Sequence, residues 1–488
     1  MKRMSTIYIS GAVARHLITV IFVLAAAVRS WSQIAPASPD FAWHPPQERM
    51  LGAETRKLTS HVLPPSATSF YSLPELIDFA ESHNPHTRLE WEKARASAEA
   101  LGVARSALYP VLSAVALSQT ARSEAYLATR YYRLTLQSFD FAMDLNYTIF
   151  DFGERSGRID VAKAQLLAAN FDFNDTHRLL IYQVQTGYYQ LLNAAGQVEA
   201  ARANVANAQA VQQSAEASLK NGLATLPDVL EARSATARAA FDFQAALGAE
   251  SVAQGNLAET LGIAPQPIPV ESVDQLSIPD QFEVSLDEAI DRAAGQRPDM
   301  LRQVAEIRSA RGRVREARAA FFPTLKLHAY PDAQSLYGLE QQYPWGHSSD
   351  LDGQVTFDLR WTVFDGGARK HSLAQARDNV KAAQAQAEAT REQIENGVWT
   401  AYSDLKTAFR QREAATAFLQ AASQSYQAAL ESYHYGVRNL LDVTEAQKTL
   451  AQARSADVLA RTQVLTSLAA FAFETADSIQ TKTPRSRP

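Results

Sequence analysis

The sequence predicts a mostly α-helical chain with a small β part, in which one helix-strand-strand-long helix-helix unit is used twice. Three observations predict this. Landmarks recur in one order: Asn84-Pro85 answers Arg297-Pro298 and Tyr109-Pro110 answers Phe322-Pro323 at an offset of 213. Asp144 to Gly153 then answers Asp358 to Gly367 at 214. Residues 154–219 and 367–434 contain no proline and are rich in Ala, Gln, Glu and Arg, so each can form one very long helix. Just before them the hydrophobic period changes to two, the period of a strand.

Taken in order, the chain opens with Lys2, Arg3 and Arg15, the apolar run Leu17 to Val28 and the small-residue exit around Ser30-Trp31-Ser32. That pattern reads as a signal peptide over 1–32 and implies export. Residues 33–71, with Pro36, Pro39, Pro45, Pro46, Pro64 and Pro65, read as an extended leader. The first repeat spans 72–264, with strands near 111–119 and 138–149 and a hairpin tip at 220–228. A Pro-rich linker fills 265–284. The second repeat spans 285–477, with strands near 324–330 and 354–364 and a tip at 434–442. Residues 478–488 read as a disordered tail.

Composition narrows the function. The 488 residues are 46% hydrophobic, which suffices for a large core, and the net charge of −5 gives no reason to expect nucleic acid, whose usual footprint is a basic face. The absence of cysteine excludes disulfides, thiolate metal sites, thiol catalysis and a lipidated N-terminal cysteine. No stretch after the signal is long and apolar enough for a membrane helix, so a membrane crossing would have to be made by strands.

Phe139, Phe141, Met143, Leu145, Tyr147 and Ile149 alternate with polar or small residues, as do Val355, Phe357, Leu359, Trp361 and Val363. One face of a soluble sandwich would show the same alternation. The length of about 10 residues, the terminal aromatics and the charged opposite face suit a tilted membrane strand. Four strands cannot close a barrel and an open edge cannot lie in lipid, so that reading requires assembly with further copies.

The tips carry the turn chemistry. Gly222 and Gly436 follow the long helices, Thr225 and Asn439 are N-cap residues, and Asp228 and Asp442 take the third helical position, where a carboxylate meets free backbone N–H groups. Capping alone can account for both aspartates. It does not account for Tyr433, Arg438 and Glu445.

The duplicated plan, the Phe-Asp-x-Gly close of the second strand and the Gly-x-x-x-x-x-Asp-Val tips resemble the TolC-type outer membrane efflux (outer membrane factor) family over about 72–477. The resemblance implies a homotrimer whose strands form a twelve-stranded barrel in outer membrane lipid, continued by a periplasmic tunnel of antiparallel coiled coils. It implies a passive exit duct for efflux or type I secretion. The partners would be a periplasmic adaptor and, through it, an inner membrane RND, ABC or MFS pump. Carried over by position, Asp442, Glu445 and Asp228 would narrow and select the passage, Arg438 and Tyr433 would hold it closed, and Gly222, Leu223, Thr225, Gly436, Val437 and Asn439 would meet the adaptor. Pro227 replaces a more usual polar residue.

No catalytic constellation emerges, so no enzyme and no cofactor are expected. His83-x-x-His86 lacks a third ligand nearby, and Arg308, Arg311, Arg313, Arg315 and Arg318 read as a solvated helix face. The alternative class is an exported coiled-coil structural protein without a pore. The cargo is left open.

Overall fold

A computed structural model describes residues 70–127, 130–222, 224–271, 278–279, 284–340 and 343–477, with Met50 and Glu54. The signal peptide, nearly all of the leader and the tail lie outside the described residues. The chain divides into Met1–Ser60 and His61–Pro488, and every element below belongs to the second unit.

Helix α1, Leu73–His83, starts at Ser72, whose amide and hydroxyl both donate to Glu75 Oε2 at 2.9 and 2.8 Å. Pro85 breaks the ladder and opens α2, Pro85–Ser106. Strands β1, Val111–Leu127, and β2, Arg130–Phe150, lead into α3, Glu154–Lys220, and α4, Leu226–Leu261. The second pass repeats this as α5 (Leu286–Gln296), α6 (Pro298–Ala319), β3 (Thr324–Glu340), β4 (Tyr343–Arg360), α7 (Ala368–His434) and α8 (Leu440–Glu474). Both long helices have 67 residues, about 100 Å at 1.5 Å per residue.

The strands make one antiparallel sheet in the order β1-β2-β3-β4. All four are longer than expected, because 120–127, 130–135, 331–340 and 343–353, left between the expected strands, continue the hairpins. β4 starts earlier than expected, at Tyr343, but stops at Arg360, short of the expected 364. Its partner starts at Thr324, directly after Pro323, so Trp361 has no strand residue to pair with. The Trp361 indole donates instead to the Phe321 carbonyl at 3.1 Å.

Below the sheet, α2 packs on α3, α3 on α6 and α6 on α7, repeating the strand order. The two repeats meet at glycines. A Cβ on Gly312 would stand 3.1 Å from the Val161 amide, and one on Gly157 would stand 2.8 Å from the Glu316 amide. Only bare backbone permits so close a crossing.

The core repeats with the chain. Val184 and Leu191 of α3 pack with Leu76 and Ala80 of α1, while Val398 and Leu405 of α7 pack with Ala289 and Ala293 of α5. All eight are 0% exposed. Further down, α4 lies on α3, α3 on α8 and α8 on α7, and one cluster joins Val211, Val229, Tyr426, Leu440 and Leu450 of both hairpins.

Candidate functional site

Three places are candidates for the functional site: the sheet, the sheet-to-helix junction and the hairpin tips. On the sheet, register sorts the side chains. Leu145 lies opposite Ala329, Tyr147 opposite Leu327 and Leu327 opposite Phe357, so the apolar residues of neighbouring strands share one face. Phe141, Phe357 and Leu359 on that face are 58%, 66% and 68% exposed. Asp144, Asn146, Lys326, His328, Asp358 and Arg360 share the other face. An exposed apolar face backed by a charged one is the arrangement of a membrane barrel wall, and both sheet edges, β1 and β4, are open within the chain.

The junction is built the same way twice. Asp151 accepts from the Gly153 amide at 3.2 Å, the Arg155 amide at 3.0 Å and Arg155 Nε at 2.7 Å. Asp365 accepts from the Gly367 amide at 3.1 Å, the Arg369 amide at 3.0 Å and Arg369 Nε at 2.6 Å. Burial pushes the Asp151 carboxyl up, but the Arg155 amide and guanidinium and the Gly153 amide outweigh it and hold it below the ordinary carboxylate value. The Arg369 amide, with its guanidinium, does the same for Asp365. This explains the Phe-Asp-x-Gly motif. The aspartate caps the long helix, the arginine four residues on ties it to the strand end, and the glycine takes a φ of 101° or 90°.

At the tips, Gly222 and Gly436 share a φ of 72° with open space around the missing Cβ, so backbone conformation is what requires glycine there. The two aspartates then differ. Asp228 is consumed by capping: its Oδ2 accepts from the Thr225 hydroxyl at 2.7 Å and the Thr225 amide at 2.8 Å, and these bonds, hydroxyl first, hold its carboxyl below the usual range. In the second tip Asn439 performs the capping, accepting from the Asp442 amide at 2.9 Å. The Asp442 carboxylate is exposed and makes no hydrogen bond or ion pair among the described residues. Glu445 is also exposed, 3.6 Å from Lys448, and lines a groove of about 390 Å³ with Glu231, Arg238 and Asp242 of α4. Tyr433 is half-buried against the tip cluster. The exposed Arg438 makes no side-chain bond among the described residues, so no Arg438 to Asp228 contact forms within one chain. Val437 is 78% exposed beside Tyr435 at 84% and Leu441 at 65%, an apolar tip without cover. Leu223 lies outside the described residues.

A buried knot between the sheet and the tips was invisible to motif reading. Arg297, 7% exposed, donates to Asp299 at 2.7 Å and to Glu474. Arg178, 2% exposed, donates to the Phe473 carbonyl at 2.8 Å and lies 4.0 Å over the Phe473 ring. Arg297 also reaches the Glu474 carbonyl at 3.3 Å, as Asn84 reaches the Thr260 carbonyl at 2.8 Å in the first repeat. Among the described residues no group of His, Cys, Asp and Glu is placed to hold a metal ion.

Comparison with known proteins decides the family. Residues 76–263 and 289–473 match the family of outer membrane efflux proteins, one segment in each repeat. The chain belongs to that family. Protein CyaE of Bordetella pertussis is 30% identical over 398 residues, covering 81% of this chain and 82% of CyaE. The pyoverdine export outer membrane protein OpmQ of Pseudomonas putida is 27% identical over 343 residues, covering 68% of each chain. The fold matches the outer-membrane channel OprN with a TM-score of 0.71 at 20% identity, over 84% of this chain and 94% of OprN. It matches VceC from Vibrio cholerae with 0.70 at 18% identity, over 83% and 95%. As an outer membrane efflux protein, the chain is a channel subunit in the outer membrane, and its long helices are periplasmic. The exposed apolar sheet face is therefore the lipid face and the charged one the water-filled interior.

Proposed function

We propose that three copies of this chain form the exit duct of a tripartite efflux or type I secretion system. The duct passively conducts small molecules or polypeptides to the exterior. The observation that carries this reading is the four-stranded sheet with a lipid-type outer face and two unpaired edges, continuous with two helical hairpins whose apolar tips are uncovered. The tips support docking of a periplasmic adaptor through Gly222, Leu223, Thr225, Gly436, Val437 and Asn439, with an RND, ABC or MFS pump behind it supplying the energy.

In this reading Asp442 and Glu445 from three chains converge on the axis and favour cations over anions. Arg438 and Tyr433 hold the aperture closed, Arg438 toward Asp228 of a neighbouring hairpin. Asp228 Oδ1 remains for that bond, since both capping bonds use Oδ2. The test is ion selectivity of the purified trimer in a planar bilayer. Asp442→Asn with Glu445→Gln is expected to lower the cation preference with trimer yield unchanged, and unchanged selectivity refutes the acidic constriction. Arg438→Ser is expected to raise conductance, and equal or lower conductance refutes the closing bond.

A further inference from the structure

The interior face of the sheet carries its own charge pattern, remote from the tips. His328 of β3 faces inward and places Nε2 2.8 Å from Asp144 Oδ1 of β2. Register sets what surrounds it: Asn146 lies opposite on β2 and Thr356 opposite on β4. The charged and titratable groups that face it are Asp144 from β2, Asp358 diagonally from β4, and Lys326 and Tyr330 on its own strand. Tyr330 stacks on the imidazole at 6.2 Å. Further along the interior, Asp140 and Asp332 each bury one carboxylate oxygen that has no hydrogen-bond partner. Asp350 and Asp352 lie opposite Gln334 and Asp332 on the same face. Aspartate thus dominates this wall, and His328 sets within it an imidazole, the side-chain type that serves as a charge switch near physiological pH.

We propose that His328, held on the inward face of the sheet by Asp144, is a pH-dependent determinant of ion selectivity in the barrel, separate from the acidic hairpin tips. Neutral, it leaves the wall strongly negative and cations are favoured. Protonated, it pairs as a cation with Asp144, and three copies offset part of the wall charge at one level of the pore. Asp144 acts as a positioning residue: it fixes the ring against the wall so that the added charge sits at the lumen surface. The inference rests on the reading of this face as the lining of a closed, water-filled barrel.

The test is the reversal potential of the full-length trimer in a planar bilayer under a potassium chloride gradient, at pH 8 and pH 5.5. The cation-to-anion permeability ratio of the wild type is expected to fall about twofold on acidification, the size that three screened charges at the pore wall produce at about 0.1 M salt. His328→Gln is expected to remove most of that fall, and His328→Arg to hold the low ratio at both pH values. Asp442→Asn with Glu445→Gln is expected to lower the ratio at both pH values and keep the acid response. An equal fall in wild type and His328→Gln overturns the role of His328 while leaving the channel intact. Assembled trimers that conduct no ions overturn the barrel reading itself, and this proposal with it.

Discussion

Replacing Arg297 by Met should loosen the chain where the helices beneath the sheet meet the hairpins. The Arg297 side chain is 9% exposed and bridges Asp299 and Glu474, whose side chains are 26% and 24% exposed. Met fills much of the same volume without the charge, so two partly buried carboxylates lose their shared cation. Breaking a buried pair costs about 3–5 kcal/mol, and the residual exposure of both carboxylates reduces this to about 2–3 kcal/mol. At about 1.4 kcal/mol per tenfold, local opening should become roughly 30- to 150-fold more frequent. Amide hydrogen exchange of the trimer in detergent reads this directly. Exchange over 471–477 should accelerate by that factor, while exchange over the tip helices stays unchanged. The twin position is the internal comparison: Asn84→Ala loses the bond it donates to the Thr260 carbonyl and the capping bond it accepts from the His86 amide, roughly 0.5–1.5 kcal/mol each with no charge left unpaired, and should accelerate exchange around Thr260 by no more than Arg297→Met does over 471–477. Adding Glu474→Gln to Arg297→Met should recover part of the loss. Acceleration below threefold over 471–477 would refute the knot as a source of local stability.

The remaining predictions concern packing and the junction. A Cβ on Gly196 would stand 2.6 Å from Val458 Cγ1, so Gly196→Ala should push α3 and α8 apart and lower stability by about 1–3 kcal/mol. Val458→Ala added to it should restore the midpoint of thermal unfolding, and no restoration would exclude this clash. Asp151 and Asp365 have folded-state values below their ordinary ones. Their stabilising contribution is therefore fully present above the ordinary carboxylate value, near pH 4, and is lost as pH falls through the lowered folded values. The melting midpoint should stay level from pH 7 to pH 5 and drop below about pH 4, more shallowly in Asp151→Asn with Asp365→Asn. A double variant as acid-sensitive as the wild type would contradict this. Gly367→Ala places a side chain at a φ of 90° and should destabilise by about 1–2 kcal/mol, measured as a lower midpoint.

The parts of the fold that were legible in the sequence are those with a local pattern. Phe139 to Ile149 shows period two because one face meets lipid, and the long helices show themselves by length without proline. Arg122 and Glu124, or Asp350 and Asp352, belong to the same strands, yet with charged residues on either face no apolar period marks them. Hence 120–135 and 331–353 read as loops. The tips were legible as turns because φ above zero calls for glycine and N-caps call for Thr or Asn. Which aspartate is spent on capping was not, since Asp228 and Asp442 occupy the same helical position and differ only in whether the cap is Thr225 or Asn439. The knot was least legible: Arg297 and Glu474 are 177 positions apart, and nothing near either marks the pairing. Only superposition of the repeats explains it, with Glu474 offering the carbonyl that Thr260 offers in the first.

The central claim is that sheets from three copies close on one another, β1 of one chain against β4 of the next. The absence of cysteine makes this directly testable, since introduced thiols have no background. A cysteine at Ser113 of β1, combined in turn with cysteines at Gln354, Thr356 and Asp358 of β4, would be oxidised in outer membranes and resolved on a denaturing, non-reducing gel. The account predicts that at least one pair yields a covalent species of three chains and nothing larger. Monomers alone from every pair, or a ladder extending beyond three chains, would contradict it.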